Sequence, residues 1–303
     1  MFLFFKLFSF LPLWLAHGIG ALLGWIVFAL SPTYRRRFLA NTQQAGYRFG
    51  QVVGAVAQTG RMVAEIPKLW TSDHGKPQNQ QESGKQVPFV WDQASTITGI
   101  EAAYQQGKGV IFLTPHLGCF EIVAQALALQ FSAPYGPLTV LYRPARKAWM
   151  AQLVANSRDR PGLIAVPTNL FGVRQMIKAL RKGEAVGLLP DQVPPDGMGL
   201  WSGFFGKDAY TMTLAARLAA QTGATVLVGW GRRLPWGRGY EIHFHEIHQG
   251  IDGDLATAVQ RMNTEMEALI RACPSQYLWG YGRYKQPRVE SKEAVKEVKD
   301  VVS

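Results

Sequence analysis

The stretch GVIFLTPHLGCFEIVAQALALQ, residues 109–130, decides the fold. Its apolar beginning is typical of a buried strand, and its second half is typical of a helix that packs on a core. We predict a strand over GVIFLTP and a helix that begins directly after His116. Polar side chains between a strand and a helix, at the edge of a sheet, are where α/β proteins bind ligands and carry out chemistry.

The same alternation continues along the chain. Strand patterns occupy LTVLYRP, LIAVP, AVGLLP, ATVLVGWGRRL and YEIHFHEI, and helix patterns occupy KAWMAQLVANSR, LFGVRQMIKALRKG and TLAARLAAQTG. Such alternation indicates an α/β fold with a central, mostly parallel sheet flanked by helices. Residues 38–70 have helical spacing, and residues 71–86 are rich in turn formers, which indicates a surface loop.

Composition narrows the classes of function. The chain has 303 residues, 48% of them hydrophobic, which is enough for a large buried core. Its formal charge of +11 favours an anionic partner, such as nucleic acid, an acidic protein, a phosphorylated substrate or membrane headgroups. No nucleic-acid motif accompanies the charge, so we expect no nucleic-acid partner. Two distant cysteines without a CxxC pair argue against a zinc site.

The N-terminus indicates a membrane protein. Residues 7–30 contain no formal charge, and about 20 apolar residues suffice to cross a bilayer. No AxA cleavage site follows, which argues against a signal peptide. Arg35, Arg36 and Arg37 follow instead and favour a cytoplasmic location for the body of the protein. Pro12 and several glycines leave two arrangements open, a full span and a kinked helix pair in the membrane plane.

His116 and Glu121 are the candidate catalytic pair. Residues five apart lie about 140° apart around a helix axis and would not meet. If His116 occupies the turn before the helix, Glu121 can accept a hydrogen bond from one ring nitrogen and leave the other as a general base. The alternative is a histidine and a glutamate that only cap a helix.

Four blocks carry a resemblance to a known family. Residues 115–118 followed by Glu121 match the HX4(D/E) motif of glycerolipid acyltransferases. LYRPARK at 141–147, LLPDQVPPDGMGLWSGFFGKDAYTMT at 188–213 and YLWGYGRYK at 277–285 follow in order. Together with the hydrophobic N-terminus, they resemble the late acyltransferases of lipid A biosynthesis, as far as about Gln286. The domains implied are a membrane anchor over 1–33, an acyltransferase α/β domain over 34–288 and a charged tail over 289–303.

The resemblance implies a mechanism and its residues. His116 would deprotonate a hydroxyl of the lipid A precursor, with Glu121 as its orienting partner, and the acyl chain would come from acyl carrier protein at the inner membrane. No metal or cofactor is required. Arg143 would bind acceptor phosphate or developing negative charge, or else form a surface salt bridge. Asp191 would organise the pocket by bonding Arg143 or Gln192, or else serve as a turn residue.

The acidic carrier protein would dock on a basic face, although a solvated basic face near anionic lipid explains the same residues. The candidate docking residues are Arg146, Lys147, Arg158, Arg160, Arg174, Arg181 and Lys182.

Three weaker candidates remain. Glu241, His243 and His245 alternate at strand period and would share one face, which suits a metal site or a half-exposed strand. Cys119 invites a Cys-His nucleophile but is better explained as a small packing residue. The WSGFFG run is expected to be an apolar wall or a loop.

Two other functions are left open by these residues. One is acyl transfer from coenzyme A to a lysophospholipid or a glycolipid. The other is a non-catalytic membrane protein that binds lipid or acyl carrier protein.

Overall fold

The structure, a computed structural model, describes residues 2–72, 87–142, 160–247, 251 and 253–289. Its helices are α1 (Phe2–Ser9), α2 (Leu13–Leu30), α3 (Pro32–Gln44), α4 (Phe49–Val52), α5 (Gly54–Ala64), α6 (Ile66–Thr71), α7 (Ala94–Gln105), α8 (Phe120–Tyr135), α9 (Leu170–Arg181), α10 (Leu214–Thr222) and α11 (Leu255–Ala272). Its strands are β1 (Phe89–Trp91), β2 (Val110–Leu113), β3 (Leu138–Tyr142), β4 (Leu163–Pro167), β5 (Ala185–Leu188), β6 (Gly199–Phe204), β7 (Lys207–Met212), β8 (Thr225–Arg233) and β9 (Tyr240–Glu246).

Seven strands form the central sheet in the order β1-β9-β8-β2-β5-β3-β4. The neighbours from β8 through β2, β5 and β3 to β4 are all parallel, whereas β9 is antiparallel to β8 and parallel to β1. The predicted α/β class with a mostly parallel sheet is confirmed. The strand β6, which contains most of the WSGFFG run, pairs with β7 in a separate antiparallel hairpin.

Both faces of the sheet are covered, as its apolar strands require. Successive residues of β2 alternate between the two sides, so Ile111 and Leu113 pack with α9, α10 and α11, while Val110 and Phe112 pack with α7 and α8. All four β2 side chains are almost completely buried. β2 is therefore constrained by a strand on each side and by a helix layer on each face.

The predicted helical region 38–70 is divided into four shorter helices, α3 to α6. Helix α8 begins at Phe120, and not directly after His116 as predicted. The loop predicted over 71–86, the helix predicted over 147–158 and the tail after Val289 lie largely or wholly outside the described residues.

The uncharged N-terminal run forms two helices, because Pro12 separates α1 from α2. Within the described part of the chain, α2 alone is long and apolar enough to cross a membrane. One stripe of α2 packs along α5, and the remaining faces expose apolar side chains to the surroundings. The exposed residues are Trp14, Leu22, Leu23, Trp25, Ile26, Val27 and Leu30.

Glycines permit the close packing of α2 on α5. A side chain at Gly60 of α5 would collide with the carbonyl oxygen of Gly20, and one at Gly24 would collide with the carbonyl of Val56. The two helix backbones are therefore in direct contact, as in small-residue interfaces between membrane helices.

Gly60→Ala should destabilise the protein by roughly 1–3 kcal/mol, because the added methyl group forces α2 away from α5. Gly99→Ala is the matched control, since Gly99 also lies inside a helix but faces open space. It should stabilise the protein by about 0.5–1 kcal/mol. Denaturant titrations of both variants in the same detergent test the expectation, and a Gly60→Ala variant as stable as the wild type would contradict it.

Candidate active site

Two adjacent parallel strands bring the candidate site together. Leu113, the last residue of β2, pairs with Leu188, the last residue of β5. His116 and Asp191 each follow three residues later, so the register itself brings the two side chains to the same place at the carboxyl edge of the sheet. This is where ligands bind in open α/β sheets.

Asp191 bonds His116 at two points. Its Oδ1 lies 2.7 Å from Nδ1 of the imidazole, and its Oδ2 accepts a hydrogen bond of 2.9 Å from the His116 backbone N–H. An ionised carboxylate only accepts hydrogen bonds, so Nδ1 of the ring carries the proton. In the neutral ring, Nε2 is then left with its lone pair, as a general base requires.

The Asp191 carboxyl is fully enclosed. Burial alone would raise its pKa, but the interactions with His116, together with the positive charge of Arg283, lower the pKa below its usual range. Asp191 is therefore ionised at neutral pH, and its negative charge lies beside the imidazole. A base that becomes positively charged during the reaction is stabilised by such a partner.

The second ring nitrogen of His116 meets Gln192. The Gln192 side-chain amide lies 3.0 Å from Nε2 and donates to it in this tautomer. The ring of Phe120 contacts the imidazole from one side, with centroids 4.9 Å apart. His116 is thus held at both nitrogens in the absence of substrate.

The loop between β2 and α8 is fixed by its backbone. Leu278 N–H donates to the His116 carbonyl at 3.1 Å, Gly118 N–H to the Gln276 carbonyl at 3.0 Å, and Cys119 N–H to the Gly231 carbonyl at 2.8 Å. Gly118 has φ +61°, and a side chain there would collide with the Gly231 carbonyl oxygen. Distant segments, and not the helix, determine where His116 points.

In this structure Asp191, and not Glu121, bonds Nδ1 of His116. Both ring nitrogens of His116 have other partners. Glu121 lies in the first turn of α8 and lines a narrow apolar cleft beside Thr114 and Phe120. The physical reason is that the helix starts at Phe120, while the register of β5 brings Asp191 to the ring nitrogen.

Asp191 was expected to bond Arg143 or Gln192. Its bonds go to His116 instead. Arg143, Arg146, Lys147 and Arg158 lie outside the described residues.

Arg160 bonds the end of α6. Its guanidinium donates to the carbonyl oxygens of Leu69, Trp70 and Ser72 at 2.7–3.0 Å, where α6 ends. It therefore satisfies helix-end carbonyls that have no partner inside the helix. Arg174, Arg181 and Lys182 are exposed on or directly after α9, and Lys182 lies 3.6 Å from Glu184.

The sequence patterns assigned no role to Arg283 and Tyr281, although both lie in the motif block YLWGYGRYK. The buried Arg283 donates to the Tyr210 carbonyl at 2.8 Å and to the Thr211 hydroxyl at 2.5 Å, and its charge acts on Asp191. The Tyr281 hydroxyl accepts the Val193 N–H at 3.0 Å. The available sequence signal was an arginine inside the motif block 277–285.

The histidines of β9 are engaged by carboxylates. His243 lies 3.1 Å from Asp92 and 3.0 Å from Glu241, and His245 lies 3.3 Å from Glu265. Within the residues that the structure describes, no group of three or more His, Cys, Asp and Glu side chains is arranged to hold a metal ion.

The two cysteines are free thiols. Cys119 is buried, and burial raises the pKa of its thiol well above the usual value, so it is a poor nucleophile at neutral pH. This agrees with its assignment as a packing residue.

Comparison with known proteins decides the family. The sequence profile of the family described as bacterial lipid A biosynthesis acyltransferase matches residues 2–286. The chain belongs to this family. The match begins in α1, so the N-terminal helices are part of what the family members share.

Individual relatives are more distant. The lipid A biosynthesis acyltransferase of Haemophilus influenzae is 27% identical over 180 residues, which are 59% of this chain and 55% of that protein. The lipid A biosynthesis palmitoleoyltransferase of Escherichia coli is 26% identical over 64% of this chain and 62% of its own length. The lipid A biosynthesis lauroyltransferase of Escherichia coli is 27% identical with the same coverage. The matched segments thus span less than two thirds of these relatives.

Asp191→Asn should show how much the ionised carboxyl stabilises the fold. A carboxyl with a lowered pKa in the folded state stabilises that state where the unfolded carboxyl is also ionised, above about pH 4, and the contribution is lost as pH falls below it. The stability advantage of the wild type over Asp191→Asn should therefore shrink as the pH falls from about 5 toward 3. Denaturation midpoints across this range measure it, and a constant difference down to pH 3 would refute the electrostatic explanation.

Proposed function

We propose that the protein transfers a fatty acyl chain from acyl carrier protein to the hydroxyl of a hydroxyacyl group on a lipid A precursor. The observation that carries the proposal is the His116–Asp191 pair at the edge of the sheet, in which His116 belongs to the motif that the family resemblance marks as catalytic. The names of the relatives, which include a palmitoleoyltransferase and a lauroyltransferase of lipid A biosynthesis, support the substrate class.

His116 acts as the general base. Its Nε2 takes the proton of the acceptor hydroxyl as the hydroxyl oxygen attacks the thioester carbonyl carbon. The tetrahedral intermediate then collapses, the C–S bond breaks, and His116 returns the proton to the leaving thiolate. Asp191 holds the ring in one tautomer and stabilises the imidazolium between these two steps.

Gln192 must move before the reaction. Its amide occupies the lone pair of Nε2 at 3.0 Å, and the acceptor hydroxyl needs the same position. Exchange of one hydrogen bond for another has a small net cost. Gln192 thus keeps the base protected from bulk water until an acceptor replaces it.

The oxyanion donors are restricted by the loop backbone. The N–H groups of Leu117, Gly118 and Cys119 all donate to protein carbonyls, so they are not available to a tetrahedral intermediate in this conformation. We assign the oxyanion to the amides at the start of α8, where helix N–H groups lack intrahelical partners and the dipole favours negative charge. Arg143 is the alternative donor, or binds the acceptor phosphate, as the resemblance implies. Glu121 is assigned to the wall of the acceptor cleft.

The donor is proposed to be acyl carrier protein, because the family resemblance implies it and the chain carries a charge of +11. Arg174 and Arg181 are exposed at α9 and provide candidate contacts to an acidic partner. Acyl transfer from coenzyme A would use the same chemistry at His116, so the assay below includes both donors.

The membrane helices are proposed to lie in the plane of the inner membrane, with the α/β domain on the cytoplasmic face. Helix α2 has 18 residues, a length of about 27 Å, which is close to the thickness of a hydrocarbon core. However, α2 packs along α5, which contains Gln58 and Arg61. A perpendicular α2 would place these polar side chains in hydrocarbon, at a high cost. An in-plane α2 avoids that cost and still buries its exposed apolar faces in lipid.

His116→Ala should lower kcat by at least about 100-fold, because the base is removed while the buried sheet is untouched. His245→Ala, on the distant strand β9, is the control and should remain active. Purified proteins in detergent are assayed for transfer of labelled acyl groups from acyl carrier protein and from coenzyme A to a hydroxyacylated lipid A precursor and to lysophospholipids.

Transfer to the precursor that disappears with His116→Ala supports the proposal. Transfer only to lysophospholipid retains the chemistry and refutes the lipid A assignment. No transfer by the wild type to any acceptor favours a binding protein.

Trp14 and Trp25 report the orientation of α2. They are separated by about 16 Å along the helix axis. If α2 lies in the membrane plane, fluorophores attached to Trp14→Cys and Trp25→Cys, in a background lacking both native cysteines, should be quenched at equal depth by lipids brominated at defined positions. A depth difference near 16 Å would show that α2 spans the membrane.

A further inference from the structure

A buried ion pair lies against the loop that carries His116. Arg233, the last residue of β8, and Glu65, between α5 and α6, have only 3% and 1% of their surfaces exposed. Arg233 Nη2 donates to Glu65 Oε1 at 2.6 Å, and its Nε donates to Oε2 at 2.8 Å. This is the parallel two-bond geometry in which a guanidinium binds a carboxylate most strongly.

The pair contacts the loop directly. Arg233 Nη2 also donates to the carbonyl oxygen of Gly118 at 3.0 Å, two residues after His116. The side-chain amide of Gln276 accepts from the N–H and donates to the C=O of the Arg233 backbone. The backbone carbonyl of Gln276 accepts the Gly118 N–H. Both polar backbone groups of Gly118 are therefore tied to Arg233, one directly and one through Gln276.

The pair also reaches the N-terminal helices. His17 of α2 lies 3.1 Å from Glu65 Oε2 through its Nε2, and the Tyr240 hydroxyl donates to the same oxygen at 2.8 Å. Gln58 of α5 accepts from Arg233 Nη1 at 2.8 Å. One continuous chain of hydrogen bonds thus runs from α2 through Glu65 and Arg233 to the loop that carries His116.

Stability alone does not explain a buried pair at this place. Apolar side chains of similar volume often stabilise a fold as well as a buried ion pair does, since both charges must leave water. Here the charges are well compensated: burial would raise the pKa of Glu65, but Arg233 and His17 lower it to about 2. An apolar pair in place of Arg233 and Glu65 would also pack α2 against the sheet. It could not donate a hydrogen bond to the Gly118 carbonyl oxygen, as Arg233 does.

We propose that Arg233 and Glu65 are positioning residues for catalysis, which set the orientation of the His116 loop and make the docking of α2 part of the active-site geometry. The proposal rests on the proposed function for its kinetic test. A shift of about 1 Å in a catalytic group can cost up to about 100-fold in rate, so a small movement of Gly118 is sufficient for a large effect. Both side chains are almost completely buried, so we expect substrate binding to be unaffected.

Arg233→Lys is the first variant, because it keeps the charge but cannot bond Glu65 twice and still reach Gly118. It should lower kcat about 10-fold to 100-fold with KM unchanged. Arg232→Lys is the matched control: it is the same substitution on the neighbouring residue, whose side chain is half exposed and pairs with Glu241. It should leave kcat within about twofold of the wild type, since a rim ion pair contributes little.

Variants of His17 provide an independent test for the case in which Arg233→Lys does not fold. His17→Gln keeps a side-chain donor for Glu65 and should retain the wild-type kcat, whereas His17→Leu removes the donor and should lower kcat with KM unchanged. Equal kcat values for the folded Gln and Leu variants would overturn the coupling of α2 to the site.

Ring-labelled histidine NMR gives a readout that needs no substrate. The His116 signal, assigned by its loss in His116→Ala, should shift in Arg233→Lys and stay in place in Arg232→Lys. A folded Arg233→Lys protein with unchanged His116 signal and unchanged kcat would show that the pair is purely structural. Failure of the wild type to transfer acyl groups would refute the proposed function, while the NMR comparison would still test the positioning role.

Discussion

The pairing of β2 with β5 on one side and β8 on the other is the constraint on which the rest of the molecule depends. Because β2 is buried on both faces, a shift in register by one residue would exchange the side chains that the two helix layers have to cover. The register therefore cannot drift. It places the residues after β5 beside the imidazole of His116, and the end of β8 against the loop between β2 and α8. The position of His116 is therefore determined by three strands and not by the helix that follows it.

Close backbone contact is the second recurring feature. Gly118 meets Gly231 behind the loop, and Gly60 meets Gly20 between the N-terminal helices. At both places a missing side chain allows two backbones to touch. These contacts, together with the Arg233–Glu65 pair between them, join the membrane helices, the sheet and the loop into one body. The boundary predicted after residue 33 reflects a change in composition along the chain. In the structure, the buried His17 connects α2 to the sheet, because it bonds Glu65, which bonds Arg233 of β8.

The sequence predicted the class of the fold and the position of His116 after the strand β2, because strand and helix periodicity is local information. The partner of His116 was assigned to Glu121 because a single chain shows which residues are near in sequence but does not show which strand lies beside β2. Asp191 is distant in sequence and adjacent only through the β2–β5 pairing. The start of α8 was misplaced for a similar reason, since residues 117–119 bond segments far along the chain.

The buried thiol of Cys119 has a consequence for inhibition. It lies three residues after His116 in the sequence, yet it faces the core, and Cys273 is half buried with a thiol whose pKa is also raised. Electrophiles that rely on a reactive thiolate therefore meet two poorly reactive thiols in this chain, although one of them lies inside its central motif.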